Sequence, residues 1–431
     1  MLYRQAKVMI KRQLELIKNK SFFLLGPRQV GKSTYIKQNF PIEKSLYYDL
    51  LLNEEYEKYL QDTSQFRKEV KSRDSNIGFV IIDEVQRVPE LLNEVHYLLE
   101  TLENPPIFIL SGSSARKLRR GQANLLGGRA LTYHMYPFTY NELAEDFDLD
   151  AIINYGSLPG VYFEKEDQVK QAILSSYTET YLQEEIRAEA IVRNIKGFVR
   201  FLKLAARENG EQINFSNIAR DTGTDRSTVK EFFQVLEDTL IGSYLLPYSK
   251  SSRRRLVSHP KFYFFDLGVT NALAKRLSLR IEKGSSEFGR AFEHFLILEL
   301  KRFSEYNNKE LDFCFYRTST GAEVDLIVET PAGQIFAIEI KAQVNPSLSG
   351  LKGLWSFADL EPKAQLICAC LTDKAYEDRA IRYLAKRSFA VDVAQKKVAT
   401  TPLGGSCVND NSDFRKKSIR FIPWQDLFSL F

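Results

Sequence analysis

Gly26-Pro27-Arg28-Gln29-Val30-Gly31-Lys32-Ser33 follows directly on the apolar run Phe22 to Leu25. The spacing G-x-x-x-x-G-K-[ST] between a strand-like and a helix-like run is that of a phosphate-binding loop. Its glycines let backbone N–H groups turn inward around phosphate oxygens, and the N-terminus of the next helix adds its positive end. The candidate cradle is Gly26, Pro27, Arg28, Gln29, Val30, Gly31, Lys32, Ser33 and Thr34. Lys32 is expected to reach the β- and γ-phosphates, and Ser33 to hold magnesium.

A second run agrees with the first. Phe79-Val80-Ile81-Ile82 has the continuous apolar character of a buried parallel strand and ends in Asp83-Glu84. Asp83 is expected to bind magnesium through water, and Glu84 to polarise the water that attacks the γ-phosphate. After a later apolar run, Ser111-Gly112-Ser113 puts small polar groups where one of them can sense that phosphate or orient water. The sequence does not separate Ser111 from Ser113. No N/T-K-x-D element is present to read guanine, so the expected nucleotide is ATP with Mg2+. Arg129 is the candidate arginine finger, given to a neighbouring subunit and therefore implying a homo-oligomer, with Arg119 and Arg120 as competitors.

The chain has 431 residues, enough for about three domains. Its 44% hydrophobic and 27% charged residues fit an ordinary globular protein rather than a disordered or membrane-embedded one. No apolar run reaches about 18 residues, and Met1 to Lys20 reads as a charged amphipathic helix without the apolar core of a signal peptide. The expectation is a cytoplasmic protein with no membrane partner. Cys314, Cys368, Cys370 and Cys407 are too scattered for a disulfide framework, and Cys368-Ala369-Cys370 reads as buried strand. The net charge of +5 neither requires nor opposes a nucleic-acid partner; Arg253-Arg254-Arg255 concentrates basic charge locally.

Residues 1–139 alternate helices with strands at Phe22 to Leu25, Ser45 to Asp49, Gly78 to Ile82, Ile107 to Leu110 and Leu131 to Tyr136. This is the pattern of a parallel sheet with helices on both faces. Residues 140–200 read as a helical lid or connector broken at Gly156-Ser157-Leu158-Pro159-Gly160. Residues 201–284 have the rhythm of a winged helix. Ser216 caps one helix, Thr222-Gly223-Thr224 turns, and Asp225 caps a second helix that opens with Arg226, Ser227, Thr228 and Lys230, where DNA is usually met. The other reading of that domain is packing between domains or subunits.

Residues 285–402 form a further α/β domain, and 403–431 a loop and C-terminal segment. Glu293 falls on a helix. Asp325 follows Gly321-Ala322-Glu323-Val324, and Glu339-Ile340-Lys341 ends the next strand. Residues two apart on a strand share a face, so Glu339 and Lys341 point the same way and a hairpin brings Asp325 beside them. Glu293, Asp325 and Glu339 are candidate ligands for Mg2+ or Mn2+, with Lys341 orienting water or steadying charge on a phosphodiester.

With these residues in view, the chain resembles prokaryotic AAA+ ATPases that carry a winged helix and a C-terminal domain of unknown function related to PD-(D/E)xK nucleases. The resemblance rests on Gly26 to Ser33, Ile81 to Gln86, Ser111 to Arg116, Gly128-Arg129, Tyr136-Pro137-Phe138, Lys261 to Gly268, and the set Glu293, Asp325, Glu339 and Lys341. It implies an α/β fold: a P-loop AAA+ ATPase core, a helical lid, a winged helix and a restriction-endonuclease-like α/β domain. It also implies ATP and magnesium, with DNA as a partner. The chain differs from the nuclease pattern in having no clear proline before Asp325. Two readings follow. In one, ATP hydrolysis is coupled to domains acting on DNA; in the other, a nucleotide-gated interaction protein holds its partner with an inactive nuclease-like domain.

Overall fold

The computed structural model describes residues 10–114, 126–181, 195–249, 259–375 and 418–431. The chain divides into two compact units, the first comprising 1–244 and 259–281, the second 245–258 and 282–431. Outside the described residues lie Arg119, Arg120, Cys407 and Arg253 to Arg255.

In the first unit, β1 (Ser21–Leu25), β2 (Ser45–Asp49), β3 (Phe79–Asp83), β4 (Ile107–Gly112) and β5 (Ala130–His134) form a five-stranded parallel sheet in the order β2-β3-β4-β1-β5. Alternation along the strands sorts side chains to two faces. Phe23, Leu25, Tyr48, Val80, Ile82, Phe108 and Leu110 face a core built from α2 (Asn53–Gln61), α3 (Ser64–Lys71) and α4 (Leu91–Thr101). Each fully buried side chain of this kind stabilises by about 1.5–3 kcal/mol. The odd-phase residues Phe22, Ile81 and Ile109 face the other way. There α1 (Lys32–Asn39) ends beside Phe40, whose ring lies 5.8 Å from that of Phe22. Helices therefore cover both faces of an α/β core, as its alternating runs predict.

The expected N-terminal helix is not formed over residues 10–20, which have no helical turn. Tertiary contacts outweigh the amphipathic pattern. Leu14 is buried and its carbonyl accepts from Tyr35 Oη at 2.5 Å, while Arg12 and Gln13 bond to Glu142. A helix would turn those backbone groups onto one another instead.

After β5, the helix Tyr140–Leu143 starts in a reciprocal cap between Thr139 and Glu142. Helices Leu149–Tyr155, Pro159–Tyr162 and Asp167–Ser176 follow. Asp266 then ties this region to the helix Leu267–Leu273. Its Oδ1 accepts from Val269 N at 3.0 Å and its Oδ2 from Ser157 N at 2.8 Å. Glycine is required on both sides of this contact: a Cβ at Gly156 would lie 2.1 Å from Asp266 Oδ1, and one at Gly268 only 2.0 Å from the Tyr155 carbonyl.

Between these segments, helix Ile195–Arg207 precedes Phe215–Thr222 and Arg226–Asp238. The cap of the middle helix is Asn214, not Ser216. Asn214 is extended and its Oδ1 reaches Asn217 N at 3.1 Å, so the first turn begins ahead of Ser216. Gly223, at φ 68°, closes that helix, and Asp225 caps the next through Thr228 N at 2.8 Å. β6 (Gly242–Pro247) and β7 (Lys261–Phe264) complete the segment.

In the second unit, helix Ser286–Tyr306 precedes β8 (Asp312–Arg317), β9 (Glu323–Glu329), β10 (Ile335–Lys341), helix Lys352–Leu360, β11 (Gln365–Cys370) and β12 (Ile419–Pro423). The strand order is β12-β11-β10-β9-β8, with β9 antiparallel to both neighbours and β10, β11 and β12 parallel. Cys368 and Cys370 are buried on β11 as expected.

Candidate functional site

The loop after β1 and the ends of β3 and β4 lie together because parallel strands bring all their C-terminal ends to one edge. Gly26 N donates to Gly112 O at 3.2 Å, and a Cβ there would stand 2.2 Å from Met135 O, so only glycine passes. Gln29 and Gly31 take left-handed backbone angles, φ 64° and 99°, that turn the loop into α1. Lys32 is buried and its Nζ donates to Gly26 O at 2.8 Å and Pro27 O at 3.0 Å. Lys32 is thus held by the loop's own carbonyls.

Asp83 and Ser111 are on the α1 face of the sheet. The register Ile81↔Ile109 and Ile82↔Leu110 carries one step further to set them side by side. Ser111 Oγ donates to Asp83 Oδ1, and Tyr47 Oη, from β2, donates to Asp83 Oδ2 at 2.6 Å. Burial, then the bond to Asp83, pushes the Tyr47 phenol well above its ordinary value, so it remains a neutral donor. Ser33 lies in the first turn of α1, on the same face of the sheet as Asp83, and the hydroxyl and carboxylate oxygens of the two are donors of the kind that suits Mg2+.

Glu84 leaves β3 in the left-handed region at φ 59°, its N–H donating to Ser111 Oγ at 3.1 Å. Its Oε2 accepts from Gln86 Nε2 and, at 3.2 Å, from Ser113 Oγ; the same Gln86 amide donates to Ser113 Oγ at 2.9 Å. The two serines that sequence reading left undivided thus separate, Ser111 on Asp83 and Ser113 on Glu84. All of these side chains are buried. Thr34 lies on α1 next to Ser33. Arg129 stands at the opposite sheet edge, just before β5, half-exposed and paired with Glu100. It is not brought to this chain's own loop.

Tyr47, Gln86 and Arg12 were not assigned roles from sequence. Gln86 stands within the Ile81 to Gln86 stretch that carries the resemblance. For Tyr47 and Arg12 only the fold supplies the signal.

In the second unit, Lys341 Nζ donates to Glu339 Oε1 at 2.6 Å, and Ile340 N to Asp325 Oδ2 at 2.8 Å. Glu339 Oε2 is buried without a hydrogen-bond partner among the described residues. Burial pushes the Glu339 carboxyl up to about 7, opposed by Lys341 and helped by Glu293 and Glu323, while for Lys341 burial, which lowers the ammonium, is outweighed by Glu339 and Asp325, which hold it above its ordinary value. Glu293 is thus within electrostatic range of Glu339, and Asp325 of Lys341. Among the described residues, no three acidic, histidine or cysteine side chains converge in a way that holds a metal. The free Glu339 oxygen fits a cation; the remaining ligands are not gathered around it.

Residues 18–144 match the family model described as an AAA domain. Residues 146–280 and 288–386 match two models described as domains of unknown function, DUF8612 and DUF4143. An uncharacterized protein of Mycobacterium tuberculosis is 23% identical over 329 residues, spanning 76% of this chain and 71% of its own length. Uncharacterized proteins of Haemophilus influenzae and Methanocaldococcus jannaschii are 24% and 25% identical, each spanning about three quarters of this chain, and 88% and 76% of their own lengths. Among solved structures, the Aeropyrum pernix ORC2 protein, in ADPNP–ADP complexes, is 12% identical with a TM-score of 0.23, over 62% of this chain and 90% of its own. The first unit thus contains an α/β domain of the P-loop AAA+ ATPase type. No helix among the described residues is long and apolar enough to cross a membrane.

Proposed function

We propose that this protein binds ATP with Mg2+ at the Gly26 to Thr34 loop, hydrolyses it, and couples the change to its winged-helix-like and nuclease-like segments on DNA. The observation that carries this reading is the buried network joining Asp83, Glu84, Ser111 and Ser113 beside the phosphate loop. Mg2+, when bound, would neutralise charge that develops on the transferred phosphoryl group. Lys32 would exchange Gly26 O and Pro27 O for phosphate oxygens, Ser33 would hold the metal directly and Asp83 through water, and Glu84 would take the proton of the attacking water. Ser111 keeps Asp83 oriented, and Ser113 and Gln86 keep Glu84 oriented. Arg129 serves a neighbouring subunit, so activity rises with assembly. ATP binding and phosphate release by wild type, K32A and E84Q test this site. The reading fails if both variants hydrolyse ATP normally.

For DNA, Arg226 and Lys230 stand exposed on the first turns of the helix that Asp225 caps, where phosphates are commonly met. A second reading of the C-terminal unit is favoured by the 2.6 Å pairing of Lys341 with Glu339 and by Asp325's engagement with Ile340 N. In it, the unit holds a partner without cutting. Plasmid and single-stranded DNA incubated with Mg2+ or Mn2+, with and without ATP, beside D325A and K341A, separates the two. Cutting lost in both variants supports cleavage, and no cutting under any condition leaves the interaction reading.

A further inference from the structure

A loop that turns its N–H groups inward onto phosphate must turn its carbonyls outward, and each buried carbonyl needs a donor. Two of them, Gly26 O and Pro27 O, are served by Lys32. The Val30 carbonyl is served from outside the loop: Arg12 Nη1 donates to it at 2.9 Å. Arg12 also donates through Nη2 to Tyr136 O at 2.5 Å and through Nε to Glu142 Oε1 at 2.9 Å, with its guanidinium 5.0 Å above the Phe138 ring. Its side chain is 5% exposed and that of Glu142 fully buried. Glu142 in turn accepts from Gln13 N at 2.8 Å and Thr139 N at 3.1 Å.

We infer that Arg12 is a positioning residue for the phosphate loop, and that it relays the loop's occupancy to the start of the helical segment that follows β5. This rests on the nucleotide-binding reading above. Three donors in one rigid plane reach three fixed acceptors, on the loop, on the strand exit and on the helix cap. A lysine in the same place keeps the charge beside Glu142 but has no planar fork to hold Val30 O and Tyr136 O as well. A Cβ added at Gly31, the pivot of the loop, would stand 3.7 Å from Arg12 Nη1, 3.7 Å from Met135 Cε and 4.0 Å from Pro159 Cγ, so the arginine lies close behind the loop without touching the glycine there. The Val30 carbonyl is where loop and arginine meet. When phosphate draws the loop amides inward, that carbonyl is fixed outward against Arg12, and the Glu142 cap tightens.

The test uses the full chain with Mg-ATP and with a non-hydrolysable ATP analogue. R12K is the working variant, because R12A, which strands buried Glu142, risks losing the fold. Calorimetry should give R12K an ATP affinity about 10-fold weaker than wild type, the loss of one charge-assisted bond's influence, with a lowered but still cooperative melting transition without nucleotide that shows the fold is kept. Hydrogen exchange should show that ATP protects residues 10–16 and 137–143 in wild type and no longer does so in R12K. Unchanged affinity and unchanged protection in R12K, or no ATP-dependent protection of these residues in wild type, overturns the inference alone. No ATP binding by wild type overturns it together with the nucleotide reading.

Discussion

Lys32 Nζ lies 2.8 Å from the carbonyl oxygen of Gly26, so the lysine at the end of the glycine loop is bound to the loop itself. A buried ammonium needs acceptors, and these carbonyls supply them; in the nucleotide-binding proposal, phosphate oxygens replace them. K32A should therefore leave the nucleotide-free fold nearly intact while lowering ATP affinity by about 100-fold, the scale of lost charge-assisted contacts to phosphate. Isothermal titration measures both the affinity and whether a folded site remains.

Glu84 is the carboxylate that Gln86 and Ser113 hold. E84Q preserves its size and its bond with Ser113, so ATP should still bind while turnover falls by about 10²–10⁴-fold, the usual worth of a positioned base. Phosphate release under saturating ATP, compared with retained nucleotide, reads this directly.

Tyr47 supplies the only bond that the Asp83 carboxylate receives from β2 among the described residues. In Y47F the Oδ2 donor is gone and Ser111 alone orients the carboxylate. Loss of a hydrogen bond to a buried charged group costs about 1.5–3 kcal/mol. Denaturant unfolding without nucleotide should show a destabilisation of that order, and Y47F should need more Mg2+ for half-maximal hydrolysis.

Gly268 admits no side chain, because a Cβ would stand 2.0 Å from the Tyr155 carbonyl. G268A should destabilise by about 1–3 kcal/mol through backbone displacement. G160A, with nothing within 4 Å of the added Cβ, is the control and should unfold like wild type. Thermal melts of the two variants side by side decide it.

Glu339 bears on pH. Its folded carboxyl is raised by burial from 4.5 to about 7. A raised carboxyl binds its proton more tightly when folded, so its contribution to stability is fully present below about 4.5 and is lost as pH rises through about 7. Lys341 stays protonated throughout that window and does not change the sign. Unfolding free energy measured from pH 4.5 to 8 should fall less steeply in E339Q than in wild type. Parallel curves would rule out the raised carboxyl.

Where the sequence was legible, a local rule and a long-range one agreed. The runs ending at Leu25, Ile82 and Leu110 are apolar enough to be buried on both faces of a sheet, and they formed β1, β3 and β4 within a residue or two. The turn residues Asp225 and Gly223 acted as cap and stop because capping is decided within three residues. The N-terminal segment misled for the opposite reason. Its charged pattern is helical by periodicity, but Arg12, Gln13 and Leu14 find partners more than a hundred residues away in Tyr136 and Glu142, and nearer by in Tyr35.

The order of residues by itself determined the glycine loop between β1 and α1, the acidic pair at the end of β3, and the α/β alternation that carries both, because those features depend on near-neighbour spacing and on which side chains favour water. Only the tertiary structure decided that Ser111 serves Asp83 and Ser113 serves Glu84, that Tyr47 reaches across from β2, and that Arg12 holds Val30 from behind. Those pairings follow from the folding of distant segments onto one another, with strand order and register bringing them within hydrogen-bonding distance, which no local pattern encodes.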